Sequence, residues 1–510
     1  MLRKVASVGG LTLVSRVLGF IRDMLTAFVL GAGPVADAFF VAFRLPNHFR
    51  SLFAEGAFNA AFVPMFSGLL VKEGKDSARA FAERVYTILL LSQIVLLIGF
   101  VIAMPWFMYV FAPGFADQPY KFDLAVLFTR ITFPYLLFIT LVSLLGGVLN
   151  SINRFWAAAS APILLNLCLI AALWWLTPIL PTAGHALAWG VFAAGIAQYL
   201  LLAWDSWRAG YWLRLTKLEM TPAVKKFLQL LGTASIGAGI VQMSLFFDTL
   251  IASFLPTGAV SYLYYADRIN QLPLGVIGIA VGTVLLPELS RHLSRDDGHA
   301  ALWSQNRAIE LSLLLTLPAA AAFMTIATPI IAALFQRGAF GPADTQACAI
   351  TLMAYALGLP AFVMQRSLIP GFYARGDTAT PVKVAAATVA ANVGLKLLLV
   401  FYFSFAQVGL AAATSLAAWV NCALLYGILH RRGLFSLDPR LARNGPRIIL
   451  ATAIMAAVLV VGRFTASGLF DQSHMMGRLW FLALLVAAGL AAFAAPALYF
   501  GLAKRNAAGT

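Results

Sequence analysis

Along this 510-residue chain apolar positions do not alternate with polar ones; they run on in long stretches parted by short breaks of Gly, Pro or charged residues. Each stretch is about as long as the 20 or so helical residues that a bilayer core requires. The pattern predicts helices over 5–31, 34–69, 80–111, 122–150, 156–177, 184–207, 222–254, 259–290, 302–335, 343–373, 380–402, 407–430, 444–466 and 477–502. In lipid only helices and closed barrels satisfy their own backbone. Continuous Ala- and Leu-rich runs do not fit the alternating ten-residue strands of a barrel. The expected fold class is all-α integral membrane, with about 14 transmembrane helices.

Composition supports this reading. Hydrophobic residues make up 61% and charged residues 11%, against roughly 45–50% and 25% in soluble domains. The net charge of +16 would point to nucleic acid in a soluble protein, but here it follows membrane sidedness. Of the 36 Lys and Arg residues, 23 fall in one set of alternate connections, and Lys121, Arg337, Arg463 and Arg478 fall in the other. Cytoplasmic connections retain positive charge, so both termini are expected in the cytoplasm and no nucleic-acid partner is expected. Arg16, Arg22 and Asp23 interrupt any signal-peptide core, and the first helix is read as retained. Cys168, Cys348 and Cys422 lie far apart in apolar surroundings and read as packing residues. The six histidines lack metal-ligand spacing, so no metal is assigned.

An offset of about 220–225 residues brings the chain into register with itself. Phe-Ile-Arg-Asp at 20–23 with Gly33 answers Phe-Phe-Asp at 246–248 with Gly258. Arg44-Leu-Pro46 answers Gln271-Leu-Pro273, and Gly114 answers Gly338. Two six-helix lobes follow, residues 1–220 and 221–435, related by an axis along the membrane normal. Residues 436–510, with helices 13 and 14, have no counterpart in the repeat.

Charges inside these helices are costly, roughly 2.5–3.5 kcal/mol each near the bilayer centre, and usually face water or a partner. Arg16, Arg22 and Asp23 lie on the first helix. Asp37, Arg44, Arg50 and Glu55 lie on the second, where Pro46 is expected to kink or unwind the backbone. Asp267 and Arg268 lie on the eighth. A cluster of Arg16, Arg22, Arg50 and Arg268 suits a polyanion, because guanidinium forks bind phosphate oxygens bidentately and keep their charge when desolvated. The alternative is that these arginines snorkel, or pair with Asp23, Asp37, Glu55 and Asp267 to hold the bundle together. Asp248 on helix 7 and Lys396 on helix 11 each stand in an apolar run and are expected to pair, either as a static contact or as a cation-coupling site with Lys396 as built-in cation.

Several ordered motifs carry a family resemblance: Ser15-Arg16-Val-Leu-Gly19 with Arg22-Asp23, Ala36-Asp37-Ala-Phe-Phe, Arg44-Leu-Pro-Asn47, Phe53-Ala-Glu55-Gly-Ala-Phe58, Tyr265-Ala-Asp267-Arg268 and Pro370-Gly-Phe-Tyr-Ala-Arg375. Together they resemble the MurJ (MviN) lipid II flippase family over nearly the whole chain. Ser51 stands where many relatives have a second Arg, and Gln271 where some have Glu, so those two positions are not essential in the relatives' form.

The resemblance implies the fourteen-helix fold of the multidrug/oligosaccharidyl-lipid/polysaccharide exporter superfamily. It also implies a role in peptidoglycan synthesis at the inner membrane, where lipid II would be flipped from the cytoplasmic to the periplasmic leaflet by alternating access. Arg16, Arg22, Arg50 and Arg268 are the implied substrate-binding residues, Asp23, Asp37, Glu55 and Asp267 the acidic and gating residues, and helices 13 and 14 a groove for the lipid tail. Lipid II, membrane lipids and cell-wall synthesis proteins are the partners to look for.

No cofactor is expected; membrane potential or a coupled cation would drive transport, since no Walker A motif is present. A related lipid-linked oligosaccharide flippase or a multidrug exporter is the nearest rival, although arginine excess argues for an anion. A membrane glycosyltransferase or polymerase would need carboxylates on substantial outer loops, which are short here, and a purely structural scaffold would not justify the cost of the buried charges.

Overall fold

A computed structural model describes residues 2–53, 57–465 and 475–502 and is all-α. Eighteen α-helices follow one another, and no strand occurs among the described residues. They are α1 Leu2–Leu30, α2 Pro34–Phe53, α3 Ala57–Lys72, α4 Lys75–Phe111, α5 Pro119–Thr132, α6 Tyr135–Ser151, α7 Trp156–Trp175, α8 Ala183–Arg208, α9 Pro222–Ser253, α10 Ala259–Leu293, α11 Gly298–Thr325, α12 Ala327–Phe335, α13 Pro342–Ala356, α14 Leu359–Tyr373, α15 Ala379–Leu397, α16 Ala406–Arg431, α17 Pro439–Thr465 and α18 Met475–Tyr499. Among the described residues, ten helices or helix pairs are long and apolar enough to cross a membrane. The expected segments outside those ten are α1, α2 with α3, α9 and α10, the helices that carry most of the intramembrane charge.

The chain packs as two compact units, Met1–Ser261 and Tyr262–Thr510. In the first, α9 packs on α2, α3 and α4, so the packing seam lies later than the repeat seam at 220/221. The cause is aromatic: Phe227 of α9 meets Phe58, Phe62 and Phe81 edge-on, with ring centroids 5.6–6.2 Å apart. Burial of such rings contributes about 1.5–3 kcal/mol apiece.

The repeat has structural echoes. The α5–α6 pair breaks at Phe133–Pro134, and the α13–α14 pair breaks at Leu357–Gly358, within the 220–225-residue offset. At the start of α5, Lys121 meets Asp37 of α2 at 2.9 Å; at the start of α13, Asp344 accepts the Tyr262 hydroxyl of α10 at 2.7 Å. The same pair of places is joined in both units with the polarity changed. The second break is closed by α16: Ser415 Oγ donates to the Ala354 carbonyl at 2.7 Å and Trp419 Nε1 to the Leu357 carbonyl at 2.8 Å.

Of the two outcomes expected at Pro46, unwinding does not occur: α2 continues through it to Phe53. Proline removes one N–H and frees the carbonyl four residues back, here that of Ala42, which accepts the Thr132 hydroxyl at 3.3 Å. Pro105 within α4 frees the Val101 carbonyl, which accepts Arg130 Nε at 3.1 Å. Neighbouring side chains therefore complete the backbone bonds that lipid cannot supply.

Gly114, between α4 and α5, is seated against the end of α9. Its N–H donates to Ser253 Oγ at 3.0 Å, and a Cβ there would lie 2.5 Å from the Ser253 carbonyl oxygen and 2.6 Å from Phe254 N. Both obstacles are backbone. Gly114→Ala is therefore expected to destabilise the first unit by about 1–3 kcal/mol, the range for overpacking, read as a lower midpoint of thermal unfolding in detergent. An unchanged midpoint would contradict the close approach.

In the second unit α17 packs on α18 and α11, and α18 packs on α12. An ionic knot around the buried Glu310 joins α11 to the start of α17. Arg307 pairs with Glu310 and with Asp438, Arg440 Nε lies 3.5 Å from Glu310 Oε2, and Asn444 Nδ2 donates to Glu310 Oε1 at 2.5 Å. Asp438 also accepts the Leu441 N–H at 2.6 Å, capping α17.

Before α15, Asp377 accepts the Thr380 amide at 2.9 Å, the Thr380 hydroxyl at 2.6 Å and Arg432 Nη1 at 2.7 Å. The Thr380 bonds, helped by Arg432, hold its carboxyl well below the usual carboxylate range. A depressed folded-state pKa stabilises above the unfolded value, about 3.9, and that contribution is lost as pH falls through the folded value. Amide exchange over residues 374–381, corrected for intrinsic rate, should stay protected from neutral pH to about pH 4, near the unfolded value. Asp377→Asn should lose that protection at neutral pH; equal protection in both proteins would refute the staple.

Candidate functional site

In the first unit α1 packs on α7 and α8. Arg22 is buried at this seam: Nη2 and Nε donate to Asp23 Oδ1 at 2.7 and 3.1 Å, and Nη1 donates to Asn166 Oδ1 of α7 at 2.9 Å. Asn166 in turn donates to the Ser15 carbonyl at 2.9 Å, and Gly19 leaves room for it, a Cβ there lying 3.5 Å from the amide. In this conformation Arg22, steadied by Asp23, joins α1 to α7. Arg16, by contrast, is exposed and makes no hydrogen bond or ion pair among the described residues.

Asp37 is fully buried. Its Oδ2 meets Lys121 Nζ at 2.9 Å and the Gly258 N–H at 2.8 Å, while Oδ1 accepts the Ser261 N–H at 3.0 Å and the Ser261 hydroxyl at 2.7 Å. The first N–H groups of a helix have no partner within it, and Asp37 supplies one from a distant segment. Its side chain is thereby bound to the start of α10.

Farther along α2, Arg44 is half-buried and makes no hydrogen bond or ion pair among the described residues. His48 Nδ1 meets Gln242 Oε1 of α9 at 2.9 Å, beside a cavity of about 270 Å³ also lined by Phe107, Phe111 and Phe246. Arg50 Nε donates to Asn47 Oδ1 at 3.3 Å. Glu55 lies outside the described residues. Asp248 on α9 is half-buried.

In the second unit Arg268 lies over the Tyr264 ring, its guanidinium carbon 4.7 Å from the centroid. Asp267 accepts Gln271 Nε2 at 2.5 Å. Lys396 is fully buried near the end of α15, on one face with Thr388 and Asn392 at four-residue spacing. Asn421 of α16 donates to Thr388 Oγ1 at 2.9 Å, so this face is a polar seam. The helix passes there into a π-helical turn, Leu398–Tyr402.

The structure adds residues to which the sequence reading gave no role. Arg366 of α14 is exposed and lies flat on Gly278 of α10; a Cβ at Gly278 would come within 2.9–3.2 Å of its side chain. Lys121 was assigned to an outer connection, yet it is 1% exposed and within α5. Lys121 is the only basic residue between the end of α4 and Arg130, a signal of placement that gave no hint of its partner.

Fold and charges define a class: a multi-pass, all-helical membrane protein with arginines within the apolar helices of both units. Among solved structures, a chain titled "Lipid II flippase MurJ, inward closed conformation" matches with TM-score 0.79 at 25% identity, covering 98% of this chain and 99% of that one. An inward-facing multidrug transporter of the MATE family, MOP superfamily, matches with TM-score 0.68 at 15% identity, over 82% and 95%, and shows the shared fold.

The family model for lipid II flippase MurJ matches residues 26–481. The "probable lipid II flippase MurJ" of Rhizobium meliloti (strain 1021) is 46% identical over 98% of this chain and 94% of its own length. The lipid II flippase MurJ of Burkholderia cenocepacia is 35% identical over 98% and 96%. The chain belongs to the MurJ lipid II flippase family.

Proposed function

We propose that this protein carries lipid II, the undecaprenyl-pyrophosphate-linked peptidoglycan precursor, from the cytoplasmic to the periplasmic leaflet by alternating access. The observation that carries the reading is family membership along nearly the full length, joined to arginines held inside membrane helices of both units. Arg16, Arg22 and Arg268 take the pyrophosphate, with Arg50 near the cytoplasmic mouth. Arg16 is supported in this role because it has no protein partner among the described residues; Arg22 becomes available only as its network with Asp23 and Asn166 opens. Asp37 acts as a gate through its hold on the start of α10, while Asp23, Glu55 and Asp267 offset the positive field so that release stays feasible.

Fourteen spans with both termini cytoplasmic fit the 23 basic residues in one set of connections. Lobes 1–220 and 221–435 are the units of the repeat, and 436–510 supplies an apolar groove for the lipid tail. Exposed Ile449, Leu450, Val461, Trp480, Leu484 and Leu490 on α17 and α18 suit an isoprenoid surface. No ATP is used: an inside-negative potential favours outward movement of anionic charge by about 2.3 kcal/mol per charge per 100 mV. Asp248, with Lys396 as a fixed cation, is the place where ion coupling would enter. The test is reconstitution in vesicles with labelled lipid II, following label between leaflets with and without an imposed potential. Movement at the protein-free rate would refute the function.

A further inference from the structure

Asp37 binds two kinds of partner. Three of its four donors, the Gly258 N–H, the Ser261 N–H and the Ser261 hydroxyl, belong to the start of α10. The fourth, the Lys121 ammonium, belongs to α5, which packs along α2. Lys121 also lies 4.2 Å from the centroid of the Phe115 ring, so two contacts fix its position. Asp37 and Lys121 are 0% and 1% exposed. A buried charge without its partner costs several kcal/mol, so the carboxylate needs a cation that does not depart with α10.

We infer that Lys121 is a positioning residue for the Asp37 gate: it aims the carboxylate at the first turn of α10 and stays with it when that turn lets go. The inference rests on the gating role of Asp37 given above. With Lys121 absent, Oδ2 loses its charged donor, the carboxylate is no longer held between α5 and α10, and the capture of α10 weakens.

Val260 is fully buried in this first turn, so a thiol placed there reports release. The experiment uses Val260→Cys in the full-length protein, with Cys168, Cys348 and Cys422 replaced by alanine, and measures labelling by a membrane-impermeant maleimide in sealed cells. Asp37→Asn should speed labelling, and Lys121→Met should speed it by roughly tenfold, the factor for loss of one charged hydrogen bond. Lys121→Arg, which keeps the cation, should restore slow labelling. The double variant Asp37→Asn/Lys121→Met removes both charges and so remains foldable even where Lys121→Met alone does not. If Lys121 acts through Asp37, the double variant labels at the rate of Asp37→Asn.

Labelling of the double variant well above Asp37→Asn would show that Lys121 acts independently, overturning the inference. Lys121→Met labelling at the parental rate while Asp37→Asn labels fast would also overturn it, leaving the gate intact. Slow labelling in Asp37→Asn would instead remove the gate itself.

Discussion

Vesicles containing the Arg268→Ala variant are expected to move labelled lipid II between leaflets roughly 10- to 100-fold more slowly than those containing the parent, the factor set by losing a charged hydrogen bond of about 1.5–3 kcal/mol. Arg268→Lys should recover part of the rate, since the ammonium keeps the charge but not the planar two-pronged donor set that matches a phosphate. Arg16→Ala should slow transport as strongly while leaving the thermal midpoint unchanged, because Arg16 makes no hydrogen bond or ion pair among the described residues.

Arg22→Ala should lower both quantities. It removes the bond to Asn166 that joins α1 to α7 and leaves the Asp23 carboxylate, 3% exposed, without this cation. The contrast between Arg16 and Arg22 separates substrate contact from structural support. Parental rates in Arg16→Ala and Arg268→Ala alike would eliminate arginine-based binding of the diphosphate and leave the fold standing.

Glu310→Ala is expected to cost about 3–5 kcal/mol of stability, the range for removing one partner of a buried ion pair. Glu310 is 6% exposed and faces Arg307, Arg440 and Asn444. Its loss leaves Arg307 with Asp438 and removes the Arg440–Glu310 pair at the seam between α11 and α17. Glu310→Gln should cost less, because the amide oxygen still accepts from Asn444. Thermal unfolding in detergent measures the loss, and faster amide exchange over residues 439–448 would localise it to the start of α17. A midpoint equal to that of the parent would show that apolar packing of Ile448 against Leu313, Leu314 and Leu317 suffices to hold the appended helices.

Membrane character and helical class were legible in the residues alone, as were the ten spans that stand out among the described residues; the doubling of the chain is a pattern of the sequence itself. Each depends on local or periodic features: an apolar run must become a helix because lipid offers its backbone no other partner, and paired landmarks such as Gly114 and Gly338 need no coordinates to be noticed. The charged residues inside the spans were legible for the same reason, as breaks in an apolar run.

What those charges touch was decided by tertiary structure. Asp37 reads in the sequence as one of four acids open to pairing with Arg16, Arg22, Arg50 or Arg268, yet it meets Lys121 and the start of α10, 84 and more residues away. Arg22 finds Asn166, Arg307 finds Asp438, and Pro46 stays within a continuous helix because Thr132 takes the carbonyl it frees. Hydropathy depends on each residue's own transfer energy and survives any arrangement of the helices. An ion pair or hydrogen bond exists only within about 3–4 Å, a distance set by which helices pack together and at what height.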